Sequence, residues 1–220
     1  SFSHALRRVL RQDPDVIVIG ELRDRESAEA ALSAGESGHL VLSTMHTSDA
    51  VETVNRFIEF FPGERQEAAR QTLAAVLRGA VTQRLLPRVG GGLVPAVEVL
   101  VNTARAADLI REPTRTEELN DVIGGGEVHG MQGFDDHLTR MVLDGLIERH
   151  TAVAAASEPH DFILKLDNAR RLRENRARRA AQGHDSGPEK KPEPEVPLLR
   201  RAPGLNGDQL TAHPGNGQEG

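Results

Sequence analysis

Glu21 closes the apolar run Val16–Ile19, and Thr44, Met45, His46 and Thr47 close a second run that opens at His39. A carboxylate at the C-terminal end of a buried strand faces the crevice where open α/β sheets bind ligands. There it can reach a magnesium ion through water, or polarise a water that attacks a phosphate. An imidazole just beyond the neighbouring strand lies on the same sheet edge and can hydrogen-bond a phosphate oxygen. Each signal alone has a plainer reading. An acid ends many strands. His46 can cap a turn while Thr47 or Asp49 caps the next helix. Arg23 and Asp24 can form an ion pair at a helix start.

These residues need a sheet to hold them. The β-branched run Val16–Ile19 has the composition of a parallel strand covered on both faces. Arg25–Ala34 is Ala- and Glu-rich and reads as a helix that Gly35 and Gly38 end. His39–Ser43 reads as a second buried strand, which makes a right-handed strand–helix–strand crossover. Thr47, Ser48 and Asp49 offer an N-cap to a helix over Ala50–Phe60, and Pro62-Gly63 makes the turn after it. Glu64–Leu86 reads as one long helix, with Leu73, Val76, Leu77 and Val81 at core spacing. Gly90, Gly91 and Gly92 mark the turn of a hairpin between Leu85–Val89 and Leu93–Val101. Further helices are predicted over Phe2–Arg11, Thr103–Glu112, Thr114–Ile123, Phe134–Leu146, Thr151–Ser157 and Asp161–Arg179.

Composition removes several function classes. The chain has 220 residues with a formal charge of -6 and an aromatic content of 3%, with neither Trp nor Tyr. Neither a global pull towards nucleic acid nor a stacking platform for bases follows, and nucleic acid is not an expected partner. Cysteine is absent, which excludes disulfides and thiolate metal sites. No apolar run approaches the roughly 18 residues that a membrane-spanning helix requires. The chain opens on Ser1 rather than Met. It is read as a cytoplasmic piece of a longer protein.

The two boxes together are more specific than either alone. Asp13–Asp24, DPDVIVIGELRD, followed by Ser37–Thr47, SGHLVLSTMHT, resembles the Walker B and histidine boxes of the PilT/PilB/GspE superfamily of secretion ATPases. The resemblance implies a partial RecA-like P-loop NTPase core, α/β with a parallel sheet and crossover helices, followed by a helical C-terminal region. It places Glu21 as the catalytic glutamate and His46 as the residue that senses the γ-phosphate. His39, Thr44 and Arg23 would bind or sense nucleotide. ATP and Mg²⁺ would serve the complete protein, the metal being met by Glu21 through water rather than by direct ligands.

The Gln83-Arg84-Leu85 segment leads directly into the glycine turn, without the four-cysteine zinc module of the assembly and secretion branches. That points to the retraction branch. Leu109-Ile110-Arg111-Glu112 resembles the end of that branch's AIRNLIRE motif, implying a surface that transmits nucleotide state to motor motion. Gly130–Asp135 resembles its GMQTFD segment. The resemblance implies a homo-hexameric motor that drives type IV pilus retraction with a platform protein of the inner membrane. The alternatives are an assembly or type II secretion ATPase of the same superfamily, or a non-catalytic interaction fragment.

What is missing matters equally. No GxxxxGK[ST] loop occurs in the sequence. That loop supplies the amide cradle and the lysine for the phosphates, so this chain alone is expected to be inactive. The expected organisation is a partial core over residues 1–102, a helical subdomain over 103–166, an arginine-rich helical extension over 167–181, and a disordered tail over 182–220. The run Arg170–Arg179 holds six arginines and one glutamate. It reads as a solvated helical face, and peripheral contact with an anionic membrane is the other reading.

Overall fold

The computed structural model describes residues 14–181. The helix expected over Phe2–Arg11 and the tail after residue 181 lie outside them. Strand β1 (Val16–Ile19) is followed by helix α1 (Arg25–Glu36) and strand β2 (Leu40–Ser43). The two strands pair in parallel, with Val16 opposite Leu40 and Ile19 opposite Ser43. The predicted crossover unit therefore forms. Asp24 caps α1, its side chain accepting from Ser27 N while the Ser27 hydroxyl returns towards the Asp24 backbone. The helix runs on through Gly35. A side chain there would begin 3.2 Å from Val76 Cβ, so glycine lets the end of a later helix pack close.

One expectation about β1 is corrected. Ile17 and Ile19 are buried, whereas Val16 is 47% exposed and Val18 74% exposed. Leu40 and Leu42 are also exposed. The run is apolar on both faces, but within the described residues only one face is covered. A continuous apolar run encodes two faces and does not name what lies on each.

Helices α2 (Ala50–Glu59) and α3 (Gly63–Val76) come next. The long helix expected over Glu64–Leu86 does not form. It stops at Val76, and Gly79–Pro87 is strand β3, antiparallel to β4 (Leu93–Val101). The stop has local causes. Leu77 is extended at ψ 134, and a Cβ on Gly79 would lie 2.7 Å from the Leu100 carbonyl oxygen. β-Branched Val81 and Thr82 then suit a strand. Val81, assigned to a helical core by spacing, is 71% exposed on the outer face of β3. The predicted hairpin exists, with a much longer first arm. Its turn holds Gly90, Gly91 and Gly92 at φ 86, 104 and 78, a run that residues with a Cβ rarely adopt.

Beyond the hairpin lie α4 (Ala104–Arg111), a 3₁₀ segment (Pro113–Glu118), α5 (Leu119–Gly125), α6 (Phe134–Leu143), α7 (Arg149–Ala155) and α8 (Pro159–Ala181). The single helix expected over Thr114–Ile123 is thus split. Pro113 starts a 3₁₀ turn, and regular α-helix begins at Leu119. The helix expected from Phe134 to Leu146 ends three residues early, where Gly145 at φ 70 turns the chain. The core has two parts. One gathers Ile19, Val54, Phe57, Leu73, Leu109 and Leu119. The other gathers Leu86, Phe134, Leu138, Met141, Phe162 and Leu166. Among the described residues no helix is long and apolar enough to cross a membrane.

Candidate functional site

The parallel pairing of β1 and β2 puts their C-terminal ends side by side. Two bonds stitch those ends together. Thr44 Oγ1 donates to the Gly20 carbonyl at 2.7 Å, and Leu22 N donates to the Thr44 carbonyl at 3.0 Å. Glu21 lies between these bonds and faces His46. His46 Nε2 is 3.0 Å from Glu21 Oε1, and Arg23 Nε donates to Glu21 Oε2 at 2.6 Å. The Glu21 side chain is 21% exposed and that of His46 is 88% exposed. The Arg23 bond, opposed by partial desolvation, holds the Glu21 carboxyl below the usual range, and the charges of Arg23 and His46 add to this. Glu21 is therefore an ionised acceptor at neutral pH, held by one guanidinium and touched by one exposed imidazole.

The other candidates separate from this pair. Thr44 Oγ1 is committed to the backbone, so it shapes the strand exits. His39 sits at the opposite end of β2. Its Nδ1 lies 2.9 Å from Ser37 Oγ and 3.2 Å from the Ala34 carbonyl, so it locks the exit of α1 and does not meet Glu21. Asp24 serves as the cap of α1, and Arg23 pairs with Glu21 rather than with Asp24. Asp49 caps α2 by accepting from Glu52 N, and Thr47 Oγ1 meets Thr53 Oγ1 at 2.7 Å. His46 is thus left free of the capping role.

The motif Leu109–Glu112 is not a surface as a whole. Leu109 and Ile110 are both at 0% exposure in the first core. Arg111 pairs with Asp108 at 2.7 Å, and Glu112 caps the helix end. The apolar pair faces inward because α4 packs its Ala106–Ile110 side on α3 and α5.

Two buried charged residues, Glu98 and Arg70, lie outside every sequence box. Glu98 on β4 is 6% exposed and accepts from Ala50 N, the first residue of α2, at 2.8 Å. Burial pushes its carboxyl up, against the Ala50 bond, with the charge of Asp49 pushing the same way as burial. Its signal was present, because Ala96, Glu98 and Leu100 share the inward register of β4. Arg70 on α3 donates to the Ile110 carbonyl and to Thr116 Oγ1, each at 3.2 Å, and to Asn55 Oδ1 at 3.1 Å. Desolvation lowers its pKa from the usual arginine value. Its spacing from Leu73 and Ala74 placed it on the inward face.

The donor set fits one end of a magnesium nucleotide. Glu21 can accept from a water, and the exposed His46 can donate to a phosphate oxygen. No group of three His, Asp or Glu side chains able to hold a metal ion exists among the described residues. The set does not supply a cradle for the remaining phosphates.

Residues 1–145 match the family described as "Type II/IV secretion system protein". The "Type IV pilus retractation ATPase PilT" of Pseudomonas aeruginosa is 40% identical over 161 residues, covering 73% of this chain and 46% of that protein. A "Twitching motility protein" of Neisseria gonorrhoeae is 40% identical over 153 residues, 69% of this chain and 41% of its own length. The crystal structure of the pilus retraction motor PilT with bound ADP superposes with a TM-score of 0.63 at 41% identity, covering 73% of this chain and 45% of that one. The chain spans less than half the length of each of these relatives. With that structural likeness, the mixed α/β crossover unit is part of a RecA-like core followed by a helical region. The chain belongs to the type II/IV secretion system protein family, among the pilus-related secretion ATPases.

Proposed function

We propose that this chain is the C-terminal part of a hexameric motor ATPase that couples ATP hydrolysis to type IV pilus retraction. The observation that carries the reading is the 3.0 Å contact between Glu21 and His46 across two adjacent parallel strand ends. The names of the relatives, a pilus retraction ATPase and a twitching motility protein, support the retraction branch over assembly or secretion. Magnesium and ATP would supply the electrophilic phosphate. Glu21 accepts a proton-bearing water and orients it. Arg23 keeps Glu21 ionised, and His46 leaves Glu21 to donate to a phosphate oxygen. His39 and Thr44 support the site by fixing the two ends of β2. The motor is proposed to be cytoplasmic, with a membrane platform protein as its partner.

The missing phosphate loop gives the reading a two-part test. The isolated chain should show no magnesium-dependent ATP turnover above background. A protein joining it to the phosphate-binding half of a relative should turn over ATP. Glu21→Gln in that protein should lower kcat by about 10²-fold or more, the scale of losing a general base. Turnover by the joined protein that is indifferent to Glu21→Gln would refute the assignment.

A further inference from the structure

Arg84 sits on β3 and reaches in two directions. Its Nε and Nη2 donate to the Ser48 carbonyl at 3.3 and 3.2 Å. Its Nη1 donates to the Ala155 carbonyl at 2.9 Å, and its guanidinium carbon lies 4.1 Å from the centroid of the Phe134 ring. Ser48 stands two residues after His46, on the segment that leads into α2. Phe134 opens α6 and belongs to the second core, while Ala155 is the last residue of α7 and packs against the same core. One planar cation thus bonds the His46 segment with one edge and the helical region with another. A guanidinium suits this role because its donors are fixed in one plane, whereas an ammonium is a single point. Glu98 grips the same segment from β4, through Ala50 N.

We propose that Arg84 is a positioning residue. It clamps the His46 segment to helices α6 and α7, so that a shift of His46 at the phosphate end moves the helical region. Its part in turnover rests on the reading of Glu21 and His46 given above. The clamp itself does not. Three features favour a coupling role over simple local support. Ser48 precedes the cap of α2 and Ala155 ends α7, so both carbonyls lie outside helix interiors. The two segments belong to different parts of the core. And the bond to Ala155 satisfies a carbonyl at a helix C-terminus, where a cation is additionally favoured.

Amide hydrogen exchange on the chain tests the clamp. Arg84→Gln should speed exchange at least tenfold both at Ala50, Glu52 and Thr53 and at Ala156. Helix α3, which Arg84 does not touch, should change less than twofold. Arg84→Lys, which keeps the charge on one donor point, should fall between. Loosening of only one of the two segments, or of neither, overturns the clamp. In the full-length protein that carries this chain, Arg84→Gln should lower kcat about tenfold with the KM for ATP within twofold. Both segments loosened with kcat unchanged overturns the transmission to turnover. Absence of any turnover by the unsubstituted full-length protein refutes the reading of the site instead, while the exchange result still decides the clamp.

Discussion

Glu98 offers a sharp test of how the His46 segment is held. It is a carboxylate at 6% exposure whose Oε1 accepts from Ala50 N at 2.8 Å and lies 3.5 Å from Thr82 Oγ1. Glu98→Ala removes the acceptor and leaves the first amide of α2 unpaired in a buried place, which costs about 1–3 kcal/mol for that group alone. Glu98→Gln keeps an acceptor oxygen of the same reach and removes the charge. Burial raises the folded-state pKa of Glu98 above 4.5, so the folded form holds its proton more tightly than the unfolded form. The stability it contributes is therefore fully present below about pH 4.5 and is lost as pH rises through the folded pKa. Each unit of upward shift corresponds to about 1.4 kcal/mol lost once the group is ionised in both states. The lowered carboxyls of Glu21, Asp24 and Glu52 run the opposite way, but they are common to both proteins and cancel in the difference. Urea unfolding of wild type and Glu98→Gln across pH 4.5–8 is the assay. The variant should gain on wild type as pH rises, and Glu98→Ala should be the least stable of the three. A difference between wild type and Glu98→Gln that stays flat with pH, or a glutamine variant worse than the alanine one, would refute the reasoning.

Other predictions follow from burial and geometry. Leu109→Ala should destabilise the chain by about 2–5 kcal/mol, as for other buried leucines, while Arg111→Ala should cost under about 1 kcal/mol, both by urea melts. Equal costs would deny the inward placement of Leu109. Gly79→Ala should cost about 1–3 kcal/mol, because the new Cβ meets a backbone oxygen that side-chain rotation cannot move. A neutral thermal shift would count against the close approach of β3 and β4. His137 Nδ1 accepts from Val97 N at 2.9 Å, and burial, aided by the charge of Arg140, lowers its folded-state pKa below 6.5. The stability that His137 contributes should therefore fall as pH drops below about 6.5 and level off beneath the folded pKa, so His137→Gln should gain on wild type over that interval. Parallel pH profiles for the two proteins would remove His137 from the account.

How much of this was legible in the residues varied by scale. The crossover unit was, because the β-branched runs, the Ala- and Glu-rich stretch between them and the glycine at 38 are local signals that agree with one another. The pairing of Glu21 with His46 followed from that topology. The end of α3 is not legible locally, because the apolar positions from Leu73 to Val81 fit a helical period as well as a strand, and tertiary contact at Gly79 decides between them. His39 belonged to the same sequence box as His46, yet a strand of four residues puts them at opposite ends. Box membership records proximity in sequence, while chemistry needs proximity at one edge. Leu109 and Ile110 were assigned to a surface by motif, although their burial was written in the amphipathic spacing of α4. Glu98 and Arg70 were visible only as charges in apolar registers, a pattern easily passed over when charges are assumed to be solvated.

The β3–β4 hairpin has a consequence for how the molecule comes apart. Its inner face is shared between the two cores, with Leu100 in the first and Leu86 and Ala96 in the second. Melting the helices that cover Leu86 need not dissolve the packing around Leu100, because the ladder between the arms can hold at one end while it frays at the other. The hairpin is thus a hinge in the folding cooperativity. Conditions that weaken the second core should give partly open molecules with β1, α1 and β2 intact, and a single unfolding midpoint would then describe neither half.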